Sequence, residues 1–324
     1  MQAVLISGPN EYPKLQEIES PELLAEEVQV QLYAAALNHR DVWISKGKYP
    51  GIHYPVLPGS DGAGRLNEQD VIINPGMNWG PNTGFQGKDF EILGMPRFGT
   101  FGACVNVPKS QIHIKPEYLS WEEAAALPLA GVTAFRALFT QGHCRAGQKV
   151  FINGIGGGVA LLAFQMALAA GCTLGVSSGN PEKLEKGKAM GAAGVVNYKS
   201  EKWGSAFKKE FGAFDLIIDS AGGAGFMDLV DLCKPGGRIV TYGGSRGLVK
   251  NFSPQKIFWK QISIIGTSMG SAQDFAEMLD FCALHQIKPT IDRVFPLREA
   301  QAAFDYLESG QQFGKVVLKI RSDS

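Results

Sequence analysis

From Lys149 onward the chain keeps a strict rhythm that few folds can satisfy. Short β-branched runs, "KVFIN", "TLGVS", "GVVNY", "DLIIDS", "GRIVTYG" and "ISIIG", are mostly separated by helix patterns at 158–170, 181–190, 201–211 and 224–232. Strands that alternate with helices form a parallel sheet covered on both faces. The first strand runs into four glycines within five positions, "GIGGG" at 154–158, and then into an apolar helix pattern. A glycine-rich strand-to-helix turn exposes backbone N–H groups at the positive end of a helix dipole, a setting suited to phosphate or pyrophosphate. Aligned on "GGVA", Gly157 takes the close-approach role and Ala160 the helix-packing role, while Ile155 stands where the fingerprint wants its first glycine and Gly154 just precedes it. Gly157, Gly158 and Val159 are the residues expected at the phosphates. No Gly-Lys-Ser/Thr ends the turn, which excludes a nucleoside-triphosphate P-loop.

The chain has 324 residues, more than one core usually organises, and equal numbers of basic and acidic residues, 31 each. A neutral balance gives no electrostatic case for nucleic acid or an anionic membrane. Five dispersed cysteines, with no Cys-x-x-Cys, argue against a disulfide framework or a clustered zinc site. The first residues lack the regions of a signal peptide, and the longest apolar run, 159–170, is too short for a bilayer, so the expected location is the cytoplasm.

Residues 1–118 are strand-like and turn-rich, as in "EEVQVQLYAAAL", "DVIINPG" and "FGACVNVP". The segment "SWEEAAALPLAGVTAFRALF" opens a helix with a capping box, Ser120 with Glu123. Two amphipathic helices, 272–285 and 298–308, and a last strand, "KVVLKI", follow the alternating region. The expected division is a discontinuous β-rich domain at 1–118 and 268–324, with the doubly wound α/β domain at 119–267.

The second strand of an NAD site usually ends in an acid, roughly 20 residues past the turn, that binds the ribose diol. Here it ends "GVSSGNPEK", with no carboxylate at Ser177, Ser178 or Gly179. The two hydroxyls and Lys183 suit a 2′-phosphate instead, and Tyr198 could stack on adenine or bond the same phosphate. The cofactor expected is therefore NADP(H). A solvated loop, with Asn180 as helix cap and Pro181 in the first turn, is compatible with the same residues.

The joint order of "NHRD" at 38–41, "GKYP" at 47–50, "PGSDGAG" at 58–64, "AAALPLAGVTAFRAL" at 124–138, "GIGGGVA" at 154–160, "EKLEKGKAMGA" at 182–192, "VVNY" at 195–198, "LCKPGGRIVTYG" at 232–243 and "GKVVL" at 314–318 resembles the medium-chain dehydrogenase/reductase superfamily, in its zinc-independent quinone oxidoreductase-like branch. The resemblance implies a chaperonin-10-like catalytic domain, a Rossmann domain and a cofactor cleft. Zinc-dependent relatives carry a Cys where this chain has Asn38, a His where it has Ser60 and a third ligand near Leu129; they also hold four structural-zinc cysteines in a region where this chain, over 74–102, has none. These side chains supply no tetrahedral donor set, and His39 and His53 follow no ligand spacing. The expected substrate is a small electrophile, a quinone or an activated carbonyl, reduced without metal. The alternatives are a non-catalytic NADPH-binding protein or an enzyme acting on an unknown alcohol or ketone.

By the same resemblance Asn38 and Asp41 face the nicotinamide, with Asn38 as a donor to substrate oxygen or the carboxamide, and Asp61 organises the cleft floor or caps a turn. Thr133 lies near the nicotinamide or only packs its helix. Tyr49 donates a proton or, better, walls the pocket, and His39 relays protons or is structural. Gly243, Gly244 and Ser245 form the loop under the nicotinamide end; Lys315 reaches the cofactor or sits exposed on a strand edge. "GGSRG" at 243–247 also matches a hydrolase elbow, but "LVKNFSP" after it is not a helix start. "GAGRLNEQDVI" at 62–72 is shorter than in relatives, as though a hairpin were lost between Gly64 and Val71. Trp43 and Trp79 suggest a bulky pocket or belong to the core. The edge strand "ISIIG" is expected to pair across a two-fold axis and make a homodimer.

Overall fold

A computed structural model describes residues 1–322. The chain begins with a ribbon of β1 (Gln2–Leu5) and β2 (Lys14–Glu17), then enters β3 (Glu27–Ala36) and a short helix α1 (His39–Ser45). Strands β4 (Asp61–Leu66) and β5 (Gln69–Ile73) form a tight hairpin, pairing Leu66 with Gln69. Only Asn67 and Glu68 make its turn, and Asn67 takes the left-handed φ of 55° that two-residue hairpins favour. Next come β6 (Gly76–Met77), β7 (Glu91–Ile92), β8 (Cys104–Pro108) and β9 (Ile112–Ile114). The expected long helix is split: α2 (Trp121–Ala126) carries the capping box of Ser120 and Glu123, and α3 (Pro128–Phe135) restarts at the proline and runs into a π-helical turn over Arg136–Gln141.

The alternating region follows as β10 (Lys149–Asn153), α4 (Gly158–Ala169), β11 (Thr173–Ser178), α5 (Pro181–Ala189), β12 (Gly194–Asn197), α6 (Trp203–Phe211), β13 (Phe214–Asp219), α7 (Phe226–Leu232), β14 (Cys233–Thr241), α8 (Pro254–Lys260) and β15 (Ser263–Gly266). All its strand pairs are parallel, in the order β12-β11-β10-β13-β14-β15. The inner strands are apolar along their length because helices cover both faces. Helix α4 is buried around most of its circumference, whereas Phe151, Trp203, Phe207 and Phe214 fill the layer under α6 and α7. Helix α8 was not anticipated from the sequence, although Ser253 caps it and Pro254 opens it. The chain ends with α9 (Ala272–Leu284), β16 (Ile291–Pro296), α10 (Ala300–Glu308) and β17 (Lys315–Lys319). β16, β17, β3, β4, β5 and β9 line up in a second sheet, with β8 also on β3.

The chain divides into two compact units: Met1–Ala130 with the segment from Gly270 onward, and Gly131–Met269. The first boundary comes twelve residues later than the expected 118, inside α3. The physical reason is α2, which packs on β3, β4 and β17, with the Trp121 ring stacked 4.5 Å from Tyr33. The second boundary falls at 269, against an expected 267. Among the described residues no helix is long and apolar enough to cross a membrane.

Candidate functional site

In the second unit the strand order reverses direction at β10 and β13, and the glycine turn leaves β10 at this switch point, where open α/β sheets bind ligands. Gly154 and Gly156 have φ of 85° and 132°, values only glycine adopts readily, so Gly154 makes the sharp turn that the fingerprint assigns to its first glycine. Gly157 caps α4, and the N–H groups of the next residues lack intrahelical acceptors. A Cβ on Gly154 or Gly157 would meet nothing within 4 Å, which leaves open space over the turn for a pyrophosphate. The turn is braced from below: Ser177 Oγ accepts from Gly154 N–H at 3.0 Å and donates to Asn153 Oδ1 at 2.6 Å. Asn153 Nδ2 donates to Asp219 Oδ1 at 2.7 Å, and Asp219 also accepts from the N–H groups of Ala221 and Gly222. Asn153 and Asp219 were missed in the sequence because their pairing depends on β10 lying beside β13.

These contacts separate the two serines. Ser177 is fully buried and belongs to the brace, so the expected hydroxyl contact to a 2′-phosphate is not built from it. Ser178 Oγ accepts from Asn180 N–H at 3.2 Å, and Asn180 caps α5. Lys183 crosses the glycine turn: a Cβ on Gly156 would lie 3.0 Å from its Cδ and 3.4 Å from its Nζ. Gly179 explains the missing acid, since a Cβ there would sit 2.7 Å from the Tyr198 ring. Arg246 lies over that ring at 4.2 Å, a cation–π contact. Nothing local in the sequence signals this contact, because Arg246 and Tyr198 are 48 positions apart. Ser245 Oγ donates weakly to Ser220 O at 3.4 Å, and the next helix starts only at Pro254, so the hydrolase elbow is absent. Gly243 meets Ser220 O too closely for any Cβ, at 2.8 Å, while Gly244 faces open space. Thr133 is buried in α3.

The first unit holds a buried polar cluster. Lys315 opens β17 with only 4% of its side chain exposed, so it is no strand-edge lysine. Its Nζ donates to Leu37 O at 2.8 Å, Asn38 Oδ1 at 2.7 Å and Asp61 Oδ2 at 3.1 Å. Asp61, fully buried, also accepts from Asn38 Nδ2 at 2.8 Å and from Leu129 N–H at 2.8 Å. Its lone pairs are thus committed to holding Asn38, Lys315 and the start of α3. Lys315 can only donate and Asp61 accepts, which fixes the Asn38 amide and leaves its second Nδ2 hydrogen for an outside oxygen.

Asp41 caps the same corner, accepting from Asn38 N–H at 2.8 Å and Gly59 N–H at 3.3 Å. Burial pushes its carboxyl up to about 6, against the opposing pull of Arg40. Arg40 donates to Ser60 Oγ at 2.7 Å and Leu93 O at 2.8 Å, and its guanidinium stands 5.0 Å from the Tyr49 ring centroid. Tyr49 is therefore a half-buried wall against a cation. His39 begins α1 and is exposed. Trp79 is buried with Nε1 donating to Asn82 O at 3.0 Å, whereas Trp43 is 40% exposed.

The two units differ in what they can hold. The glycine turn, with Lys183 across it, fits a dinucleotide. Zinc does not fit the first unit: Asn38 presents an amide locked to charged partners, Ser60 is bonded by a guanidinium, and Leu129 has no donor side chain. Among the described residues no three His, Cys, Asp or Glu side chains converge.

Residues 24–117 match the alcohol dehydrogenase GroES-like domain, and residues 158–283 match the zinc-binding dehydrogenase family. A zinc-type alcohol dehydrogenase-like protein of Leptosphaeria maculans is 36% identical, with 95% of each chain covered. A solved NAD-dependent alcohol dehydrogenase is 33% identical with a TM-score of 0.93, over 99% of this chain and 100% of that one. The quinone oxidoreductase from Thermus thermophilus, solved also in complex with NADPH, is 26% identical with a TM-score of 0.84, over 99% and 100% of the two chains. With both family models matched in order and relatives that span its length, the chain belongs to the medium-chain dehydrogenase/reductase superfamily.

Proposed function

We propose that the protein is an NADPH-dependent oxidoreductase that reduces a quinone or the β-carbon of an α,β-unsaturated carbonyl without zinc. The observation that carries the proposal is Lys183 lying across the glycine turn, its Nζ 3.4 Å from where a Cβ on Gly156 would stand, so that a basic side chain borders the turn. Bound there, NADPH supplies the hydride. The N–H groups at Gly158 and Val159 bind the pyrophosphate, Lys183, Ser178 and Arg246 take the 2′-phosphate, and Tyr198 stacks on adenine. In the first unit the second Nδ2 hydrogen of Asn38 donates to the substrate oxygen on which charge develops. The Lys315 ammonium, 2.7 Å from Asn38 Oδ1, polarises the amide and strengthens that donor. Asp61 and Asp41 keep the amide in place.

An electron-poor acceptor suits this donor set, because no Lewis acid is needed when negative charge spreads over a conjugated oxygen. The kinship with proteins named alcohol dehydrogenases favours a second reading, hydride exchange between a simple alcohol and ketone. A steady-state screen of NADPH and NADH oxidation over quinones, enones, enals and simple ketones separates the two. Turnover restricted to quinones, enones or enals supports the proposal. Turnover restricted to simple ketones, or none with any acceptor, overturns it.

The proposed assembly is a homodimer joined through β15, the edge strand of the parallel sheet. Leu248, Phe258 and Trp259, which precede β15 in the chain, are exposed apolar side chains, and the Phe258 and Trp259 rings lie 5.7 Å apart.

A further inference from the structure

Two of the five cysteines stand apart from the rest. Cys144 Sγ and Cys172 Sγ are 3.3 Å apart and unbonded, although 28 positions separate them. Cys144 follows the π-helical turn, and Cys172 lies between α4 and β11. Their loops are already fastened: Gly147 N–H donates to Gly171 O at 2.9 Å, Thr173 N–H to Gln148 O at 2.9 Å, and the Cys172 thiol to Arg145 O at 3.3 Å. The backbone is thus held in place while the sulfurs need to close only to a bond of about 2.05 Å. Cys144 is half-exposed and Cys172, though buried, keeps 7% of its surface open beside it, so a small oxidant can reach the pair, whereas Cys233 and Cys282 are fully buried.

We propose that Cys144 and Cys172 are a peroxide-responsive dithiol that closes to a disulfide and staples the β10–α4 segment into its sheet. The chemistry balances. Cys172 sulfur attacks peroxide, forming S–O and breaking O–O, and one water leaves. Cys144 sulfur then attacks Cys172, S–S forms, S–O breaks, and a second water leaves. Two thiols lose two electrons and one peroxide becomes two waters. The order of attack follows from the hydrogen bond between the thiols: donation from Cys144 pulls the Cys172 thiol below its ordinary range and pushes Cys144 up. Both cysteines sit where β10 and β11 begin, and the glycine turn leaves the far end of the five-residue β10, roughly 16 Å away. The staple therefore acts on the stability of the unit and leaves the turn intact.

The test is hydrogen peroxide at tenfold excess over the full-length protein, followed by thiol counting, intact mass and peptide mapping. Titratable thiols should fall from five to three, with a loss of two hydrogens in mass and one cross-linked peptide pair holding Cys144 and Cys172. Dithiothreitol should reverse the change. The oxidised form should melt about 5 °C or more above the reduced form, because the bond closes a loop in the unfolded chain. In Cys144→Ala, dimedone should trap Cys172 as a sulfenic acid with no cross-link. Five thiols still titrating after peroxide, a cross-link to a different cysteine, or an unchanged melting temperature would overturn the proposal; these readings on the parent protein need no variant to fold.

Discussion

Lys315 Nζ donates to Asn38 Oδ1 at 2.7 Å although 277 positions separate the two residues. The same ammonium pairs with Asp61, and both partners are almost wholly buried. Removing one member of such a pair leaves an uncompensated charge. Lys315→Met should therefore lower unfolding free energy by about 3–5 kcal/mol. Adding Asp61→Asn to that variant should restore part of the loss. Urea denaturation checks both, and a single variant as stable as the parent would mean the pair is not held as described.

Lys183→Ala tests the dinucleotide end. One charged contact to a phosphate contributes about 1.5–3 kcal/mol, or roughly ten- to a hundredfold in affinity. NADPH should bind the parent more tightly than NADH, and the variant should lose most of that preference with little change for NADH. Arg246→Ala should weaken NADPH binding in the same direction. Titration calorimetry with both cofactors decides it; equal affinities in the parent would remove the case for NADPH.

Asp41 gives a pH dependence with a definite sign. Its folded carboxyl, pushed up to about 6 by burial, lies above the unfolded value of 3.8. Folding thus favours the protonated form. The stability from this group is complete below about pH 4 and is lost as pH rises through 6, a change of about 3 kcal/mol by pH 8. Asp41→Asn cannot titrate, so its stability should gain on the parent's between pH 4 and pH 8, whatever constant offset its altered hydrogen bonds introduce. Parallel curves for the two proteins in urea would show that the carboxyl titrates alike folded and unfolded.

The donor set in the first unit predicts metal indifference. Protein purified without added metal should carry far less than one zinc per chain, and dialysis against a chelator should leave activity and melting temperature unchanged. Stoichiometric zinc that leaves together with activity, measured by elemental analysis, would overturn the zinc-free mechanism.

What the sequence made legible was what local backbone chemistry demands. The glycine turn could be read because positive φ at Gly154 and Gly156 requires glycine whatever packs around it. The order of strands and helices was equally local. Residues whose roles depend on distant partners were not. Arg40 stands inside the quoted "NHRD", yet its acceptors lie 20 and 53 positions away, at Ser60 and Leu93. Ser177 and Ser178 look alike in sequence as adjacent strand residues, and only the pleat turns one hydroxyl into the brace. The early domain boundary had the same origin: nothing local reveals that Trp121 stacks on Tyr33.

Assembly is tested at the sheet edge. β15 pairs with β14 on one side only, and its residues are mostly exposed, with Ile264 at 36%. An open apolar edge without proline or charge is a template for another chain. Nearby Trp259 is 79% exposed and Phe258 58%, a large apolar area for a chain that balances its charges evenly. A two-fold contact would cover both edges and close without fibre growth. Ile264→Pro removes one ladder donor from β15, and Trp259→Arg places charge on the apolar surface. Each should shift the protein from dimer toward monomer in sedimentation at micromolar concentration, and Trp259→Arg should leave NADPH affinity within about twofold, since the glycine turn belongs to β10, which β13 and β14 separate from β15. A parent protein that sediments as a monomer would leave the edge open and rule out the shared sheet.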